Sequence, residues 1–301
     1  LVSIVVSVVV FFNTISTTML DRTFFQVKVN FLFLVVLLLG LRFLYKMRVS
    51  YKYLILSILL LLSGVLVYFQ TNRLNFLVYS MLLVLLVNVD MKVVLRNYVI
   101  VAGILVVGVF LLSLVGMVPN LQYNRAGVIR NSFGFIYPTD FASHCFYLFL
   151  AISYLLKDKF IWTRSLFGVL LSAFIIKYCD ARLNALSILL ATVIFIYFYY
   201  SNGKKLKIFA LLPYSAVVFA SVVTYLSYKF SWSDPFLVSI NKLITGRLGL
   251  GRNAFDTFGV HLFGTRNVQF IGSGGKTESV IGYNYVDSSY VQMLFTYGIV
   301  P

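Results

Sequence analysis

From Leu1 to about Tyr225, apolar runs of bilayer-crossing length follow one another with little between them. They then give way to a polar, glycine-rich stretch of roughly sixty residues, and a further apolar run opens near Ser289. A helix needs about 20 apolar residues to cross the ~30 Å hydrocarbon layer. The pattern therefore predicts an all-α, polytopic transmembrane helical bundle with one large extramembrane loop that contains short amphipathic helices. The shortage of charge decides the class. Charged residues make up 11% of the chain and hydrophobic ones 60%, whereas a soluble domain carries about 25% charged residues.

The spans read as Val2–Thr18, Val29–Tyr45, Tyr53–Phe69, Asn75–Val89, Val99–Val118, Thr139–Leu156, Phe160–Tyr178, Leu183–Tyr200, Leu206–Tyr225 and a truncated one from Ser289. That gives about ten spans, organised as a bundle over 1–225, an extracellular loop over 226–288 and the start of a further helix over 289–301. Leu1 stands where Met is usual, and an apolar run is still under way at Pro301. The expectation is a fragment missing at least its C-terminal end. No basic leader precedes the first apolar run, so no cleavable signal is expected.

A net charge of +16 does not point to nucleic acid, because the cations sit in short loops between apolar runs. The loops after the second, fourth, sixth and eighth spans carry the denser set, including Lys46, Arg48, Lys92, Arg96, Lys157, Arg164, Lys204 and Lys205. That set belongs in the cytoplasm. The N-terminus is then cytoplasmic, the loop 226–288 extracellular, and the location a multi-pass plasma-membrane protein.

Within the loop, Pro235 opens a stretch in which Phe236, Leu237, Ile240, Leu243 and Ile244 share one face, with Asn241 and Lys242 off it. This spacing fits an amphipathic helix lying on the membrane or roofing the bundle. A second helix is expected over Asn253–Phe263, with Arg252 and Asp256 spaced to pair.

Arginines gather on the side assigned to the exterior: Arg125 and Arg130 before the sixth span, Arg182 at the mouth of the eighth, and Arg247, Arg252 and Arg266 in the long loop. A guanidinium is a permanent cation whose planar fork of donors suits phosphate and pyrophosphate. Outward arginines also touch headgroups or pair with acids, and surface pairs are worth little. Arg182 stands apart, since a cation beside an apolar run is costly without a cavity or partner.

His261 is the histidine outside the spans, able to accept a proton near neutral pH or simply to bond at a helix end. Asp140 and His144 lie four apart on one face of the sixth span. They are read as structural glue in preference to a proton relay. Asp287 and Ser288 precede the last span as caps or as chemistry. Cys145 and Cys179 give no disulfide framework, and no Cys/His spacing suits a metal. Neither a metal nor another cofactor is expected.

Four segments together resemble a known family. They are Arg125 to Phe141 (RAGVIRNSFGFIYPTDF), Cys179 to Ala191 (CDARLNALSILLA), Leu243 to Gly264 (LITGRLGLGRNAFDTFGVHLFG) and Tyr283 to Ile299 (YNYVDSSYVQMLFTYGI). In this order they resemble the bacterial polysaccharide repeat-unit polymerases of the Wzy type and, more distantly, the O-antigen ligases. Gly246–Leu248 and Val286–Tyr290 look most like the Gram-positive exopolysaccharide and capsule branch. The resemblance covers about Leu121 to Pro301.

It implies metal-independent transfer of a glycan from undecaprenyl pyrophosphate to the next lipid-linked repeat unit at the outer face. It also implies membrane lipids as partners, and leaves open whether flippase and chain-length regulator proteins bind. Arg182 resembles the family's arginine at the mouth of a span, and Arg247 the arginine that opens its outer-loop helix. The arginine-then-glycine spacing of some Gram-negative polymerases is absent after Arg125, Arg130 and Arg247. Asp287-Ser288 replaces the histidine-asparagine of ligases, which favours polymerase over ligase.

Displacing a pyrophosphate builds negative charge that preorganised guanidiniums stabilise. Arg182, Arg130, Arg125 and Arg252 are the candidates for holding the donor pyrophosphate. Arg247, His261 and Asp287 are the catalytic candidates, with His261 or Asp287 accepting the acceptor proton. A ligase, or a flippase or transporter for lipid-linked oligosaccharide, is the alternative. A transporter is expected to place charges along a path through its spans, and here mid-span charge is scarce.

Overall fold

Hydrocarbon offers no water to unpaired backbone groups, so a chain this apolar satisfies them inside helices. The computed structural model describes residues 2–20, 50–87, 89–125, 127–157, 159–201, 207–244, 246–271, 284–286 and 288–301. These are mostly helical. In chain order they form α1 (Val2–Ile15), α2 (Tyr51–Thr71), α3 (Asn75–Leu86), α4 (Met91–Leu114), β1 (Gln122–Arg125), β2 (Val128–Asn131), α5 (Pro138–Leu156), α6 (Ile161–Cys179) and α7 (Arg182–Tyr200). There follow α8 (Lys207–Lys229), α9 (Pro235–Leu243), α10 (Arg247–Phe258) and α11 (Ser289–Tyr297).

Among the described residues, α2, α4, α5, α6 and α7 are long and apolar enough to cross a membrane. Only 17% to 39% of their apolar windows is buried inside the protein. Most of that apolar surface therefore faces outward, the reverse of a soluble fold and the arrangement lipid requires.

The expected spans at 53–69, 139–156, 160–178 and 183–200 correspond to α2, α5, α6 and α7. The span expected at 99–118 is α4, which starts at Met91 because the Asp90 carboxylate accepts from Lys92 N at 2.9 Å and caps it. Lys92 and Arg96, read as loop residues, are exposed on its first turns. The span expected at 75–89 ends as a helix at Leu86 and is 12 residues long. The span expected at Val29–Tyr45 lies outside the described residues.

The chain divides into two compact units. In the first, residues 1–39 and 85–205, α1 packs on α4, α4 on α5, and α5 on both α6 and α7. Its core runs from Val106 and Val109 through Phe135, Phe141 and Phe149 to Ile175 and Ile188. The closest approach is between α6 and α7. A Cβ at Gly168 would lie 2.5 Å from Thr192 Oγ1 and 2.8 Å from the Phe149 ring. Ser172 Oγ donates to Ala185 O at 3.0 Å across the same seam. Small residues that let backbones meet, with a hydroxyl bonding across, are how helices associate without a hydrophobic driving force. Arg164, read from sequence as a loop cation, is buried and donates to the carbonyls of Ser153 (3.0 Å) and Lys157 (2.6 Å), closing the C-terminal end of α5.

In the second unit, residues 40–84 and 206–301, α10 packs on α8, α9 and α11. Phe230, Leu237 and Leu248 form one buried cluster, and Ala254, Val268, Val286, Val291 and Phe295 another. Two expectations are corrected here. The second loop helix runs over Arg247–Phe258, not Asn253–Phe263. Gly246 (φ 85°) precedes its start and Gly259 (φ 64°) ends it, so the glycine breaks the helix before His261. On α9 the buried residues are Leu237 and Asn241, while Phe236 and Leu243 are exposed. The face is rotated because Asn241 Oδ1 accepts from Leu248 N (2.9 Å) and Gly249 N (3.1 Å), capping α10 from outside its own chain segment.

Candidate functional site

The joint between α6 and α7 is two residues long. Cys179 ends α6, Asp180 takes a left-handed conformation (φ 45°), Ala181 follows, and Arg182 opens α7. Asparagine and aspartate are the non-glycine residues that accept this conformation most readily. The joint holds Asp180 in a buried position, and its Oδ1 accepts from Arg182 Nε at 2.8 Å. The two side chains differ sharply in exposure, 77% for Arg182 and 8% for Asp180. The Asp180 Oδ2 atom is buried and has no hydrogen-bond partner among the described residues.

Arg182 thus presents an exposed guanidinium tethered at Nε to a buried carboxylate. It sits at the first residue of a helix, where the backbone dipole favours anions and opposes a cation. Helix stability does not explain an arginine there, whereas an anionic ligand would benefit from both the dipole and the side chain.

The segment before α5, read from sequence as plain loop, is an antiparallel hairpin pairing Tyr123 with Arg130 and Arg125 with Val128. Directly opposed residues and those two apart point to the same face, so Arg125 and Arg130 share one. The turn is closed by Gly127 N donating to Asn124 Oδ1 at 3.0 Å. Arg130 Nε reaches the Cys179 carbonyl at 2.9 Å, fixing the hairpin to the α6–α7 joint.

Burial pulls the Arg130 pKa down, and the neighbouring cations Arg125 and Arg182 add to this; Asp180 and Cys179 oppose it. Arg130 is therefore within the electrostatic reach of Arg125, Arg182 and Asp180, and Arg182 is paired with Asp180. Largely exposed guanidiniums with excess positive charge and forked donors are suited to a phosphate or pyrophosphate group.

The other sequence candidates are placed differently. Arg252 makes a two-pronged pair with Asp256, at 2.9 and 3.0 Å, as its spacing suggested. Its Nη1 also donates to Tyr228 O at 2.6 Å, tying α10 to α8. That guanidinium is engaged within the protein. Arg247 is the first residue of α10, like Arg182 on α7, but Asn241 already occupies two backbone donors of that terminus. His261 is exposed in the turn after α10, with its carbonyl accepting from Ile299 N at 3.3 Å. Asp287 lies outside the described residues.

Asp140 accepts from Tyr137 N at 3.2 Å at the start of α5. His144 Nε2 lies 2.9 Å from Thr17 Oγ1, with its ring against Phe135. Both are thus occupied in holding α5 in place, alongside Asn184 Nδ2, which donates to Ser143 Oγ at 2.8 Å.

Sequence reasoning missed the Arg130–Cys179 contact and the Asn241 cap. The hairpin left one signal, the Asn124–Gly127 turn between short strands. Within the second unit, a mostly apolar cavity of about 600 Å³ is lined by Tyr225, Tyr228, Phe255, Tyr290 and Tyr297 among others. Among the described residues, no group of three or more His, Cys, Asp or Glu side chains is placed to hold a metal ion.

No family model, curated protein or solved structure matches the chain.

Proposed function

We propose that this protein is a membrane glycosyltransferase of the repeat-unit polymerase (Wzy) type. It would lengthen undecaprenyl-pyrophosphate-linked oligosaccharide into exopolysaccharide or capsule at the outer face of the plasma membrane. In this reading the chain has about ten spans, the N-terminus is cytoplasmic and residues 226–288 are extracellular. The observation that carries the reading is Arg130 within electrostatic reach of Arg125, Arg182 and Asp180, with Arg182 tethered to Asp180.

The chemistry suits this group of charges. The acceptor hydroxyl oxygen bonds to the donor anomeric carbon as the carbon–oxygen bond to pyrophosphate breaks, and the hydroxyl proton passes to a base. The leaving lipid diphosphate carries away the electron pair. Guanidiniums already oriented toward that position need no reorganisation as the charge grows, which is the economical way to lower such a barrier.

The experiment uses the full chain in proteoliposomes supplied with lipid-linked repeat units. Arg182→Ala is expected to leave single units on the lipid while the unaltered protein makes polymer. Polymer of normal length from that variant would remove the arginine patch from the reaction. Movement of repeat units across the bilayer without lengthening would replace the polymerase reading with a flippase. Arg247→Ala and His261→Ala, assayed separately, ask whether the second unit takes part in the chemistry.

A further inference from the structure

We infer that α9 and the turn before it form an interfacial anchor whose Trp232, Phe236 and Leu243 seat at the headgroup–acyl boundary of an anionic bilayer. The inference is independent of the polymerase reading. Residues 236, 239 and 243 recur at helical spacing along α9, Trp232 lies in the turn before it, and Trp232, Phe236 and Leu243 are 73%, 70% and 83% exposed. The adjoining side is already used. Leu237, Ile240 and Ile244 pack in the cluster with Phe230 and Leu248, and Asn241 caps α10. Rotating the helix to hide Phe236 and Leu243 would break that cap, so the exposed apolar face is built in.

Three observations select lipid as what covers it. First, the preceding helix α8 also leaves a row of large apolar residues outward, with Tyr214, Val218 and Val222 exposed at helical spacing. Only residues 230–234 separate the two helices, so α9 sits where α8 ends, the level at which a lipid-facing helix meets headgroups. Second, the residue at that junction is tryptophan, whose ring favours this boundary. Trp232 is held edge-on by the buried Phe230 at 5.0 Å between centroids.

Third, the local charge is positive. Lys229 and Lys242 flank the face, while Asp234 is occupied capping α9 through Phe236 N and Leu237 N. Short helices with large apolar groups on one side and lysines beside them lie in the plane of anionic membranes.

The chain has two tryptophans, so Trp162→Phe leaves Trp232 as the sole reporter. This variant is reconstituted into phosphatidylcholine–phosphatidylglycerol vesicles carrying brominated lipid. Trp232 emission should be quenched about twofold more by bromines near the headgroup end of the acyl chain than by bromines near its tip, and only weakly by aqueous iodide. Adding Phe236→Asp and Leu243→Asp should restore iodide quenching while helicity is retained. A nitroxide at Leu243→Cys reads the same depth if Trp162→Phe fails to fold.

Strong iodide quenching without a bromolipid response overturns the proposal, because the face then lies in water. Stronger quenching by the deep bromines overturns it in favour of a spanning position. Shielding that grows with protein-to-lipid ratio and ignores bromination would assign the face to a second copy of the chain, and overturns it too.

Discussion

Arg130 donates from Nε to the carbonyl of Cys179 at 2.9 Å, joining residues 49 positions apart. That one bond docks the hairpin on the α6–α7 joint and sets Arg130 within the electrostatic reach of Arg182. Each of the two arginines is held by a different device, Arg130 by a backbone carbonyl and Arg182 by a buried carboxylate.

Crowded cations make the empty patch less favourable than the anion-filled one. Inorganic pyrophosphate is therefore expected to raise the unfolding temperature of the detergent-solubilised protein, by about 2–4 °C at a stabilisation near 1 kcal/mol. Arg130→Gln should abolish most of that shift. A shift of equal size in the variant would mean the anion binds elsewhere.

Asp180→Asn keeps the shape of the side chain and removes its charge. The Arg182 guanidinium is well exposed, so the loss of stability should be modest, about 1 kcal/mol. Lengthening of lipid-linked repeat units should fall far more, by about 10- to 100-fold, because Arg182 loses its fixed orientation. Equal and small effects on both measurements would assign Asp180 to the joint alone.

Gly168→Val forces two methyl groups into space already held by Thr192 Oγ1 and the Phe149 ring. Overpacking of this kind costs about 1–3 kcal/mol, read as a lower midpoint in thermal unfolding. Gly103, whose added Cβ meets nothing within 4 Å, is the control and should accept Ala without loss.

Asn241→Ala leaves the amides of Leu248 and Gly249 without their acceptor. The expected cost is about 1–2 kcal/mol, seen as faster hydrogen exchange through the first turns of α10. Asn241→Asp keeps the acceptor oxygen and should recover most of the protection.

The apolar runs alone determined that the chain is mostly helical, with five helices among the described residues long and apolar enough to cross a membrane, because backbone groups in hydrocarbon have few ways to be satisfied. The ends of α5, α6 and α7 were legible for the same reason, and so was the Arg252–Asp256 pair, which needs only helical spacing. Side-chain partners far apart in sequence were not. The α9 face was misread because hydrophobic periodicity has no term for an asparagine drawn inward to cap another helix. Likewise, the sequence assigned six arginines to the exterior and set only Arg182 apart. Only the tertiary structure decided that Arg252 is engaged within its own unit while Arg125, Arg182 and Asp180 come within electrostatic reach of Arg130, since charge proximity is set by how the chain folds back and not by order along it.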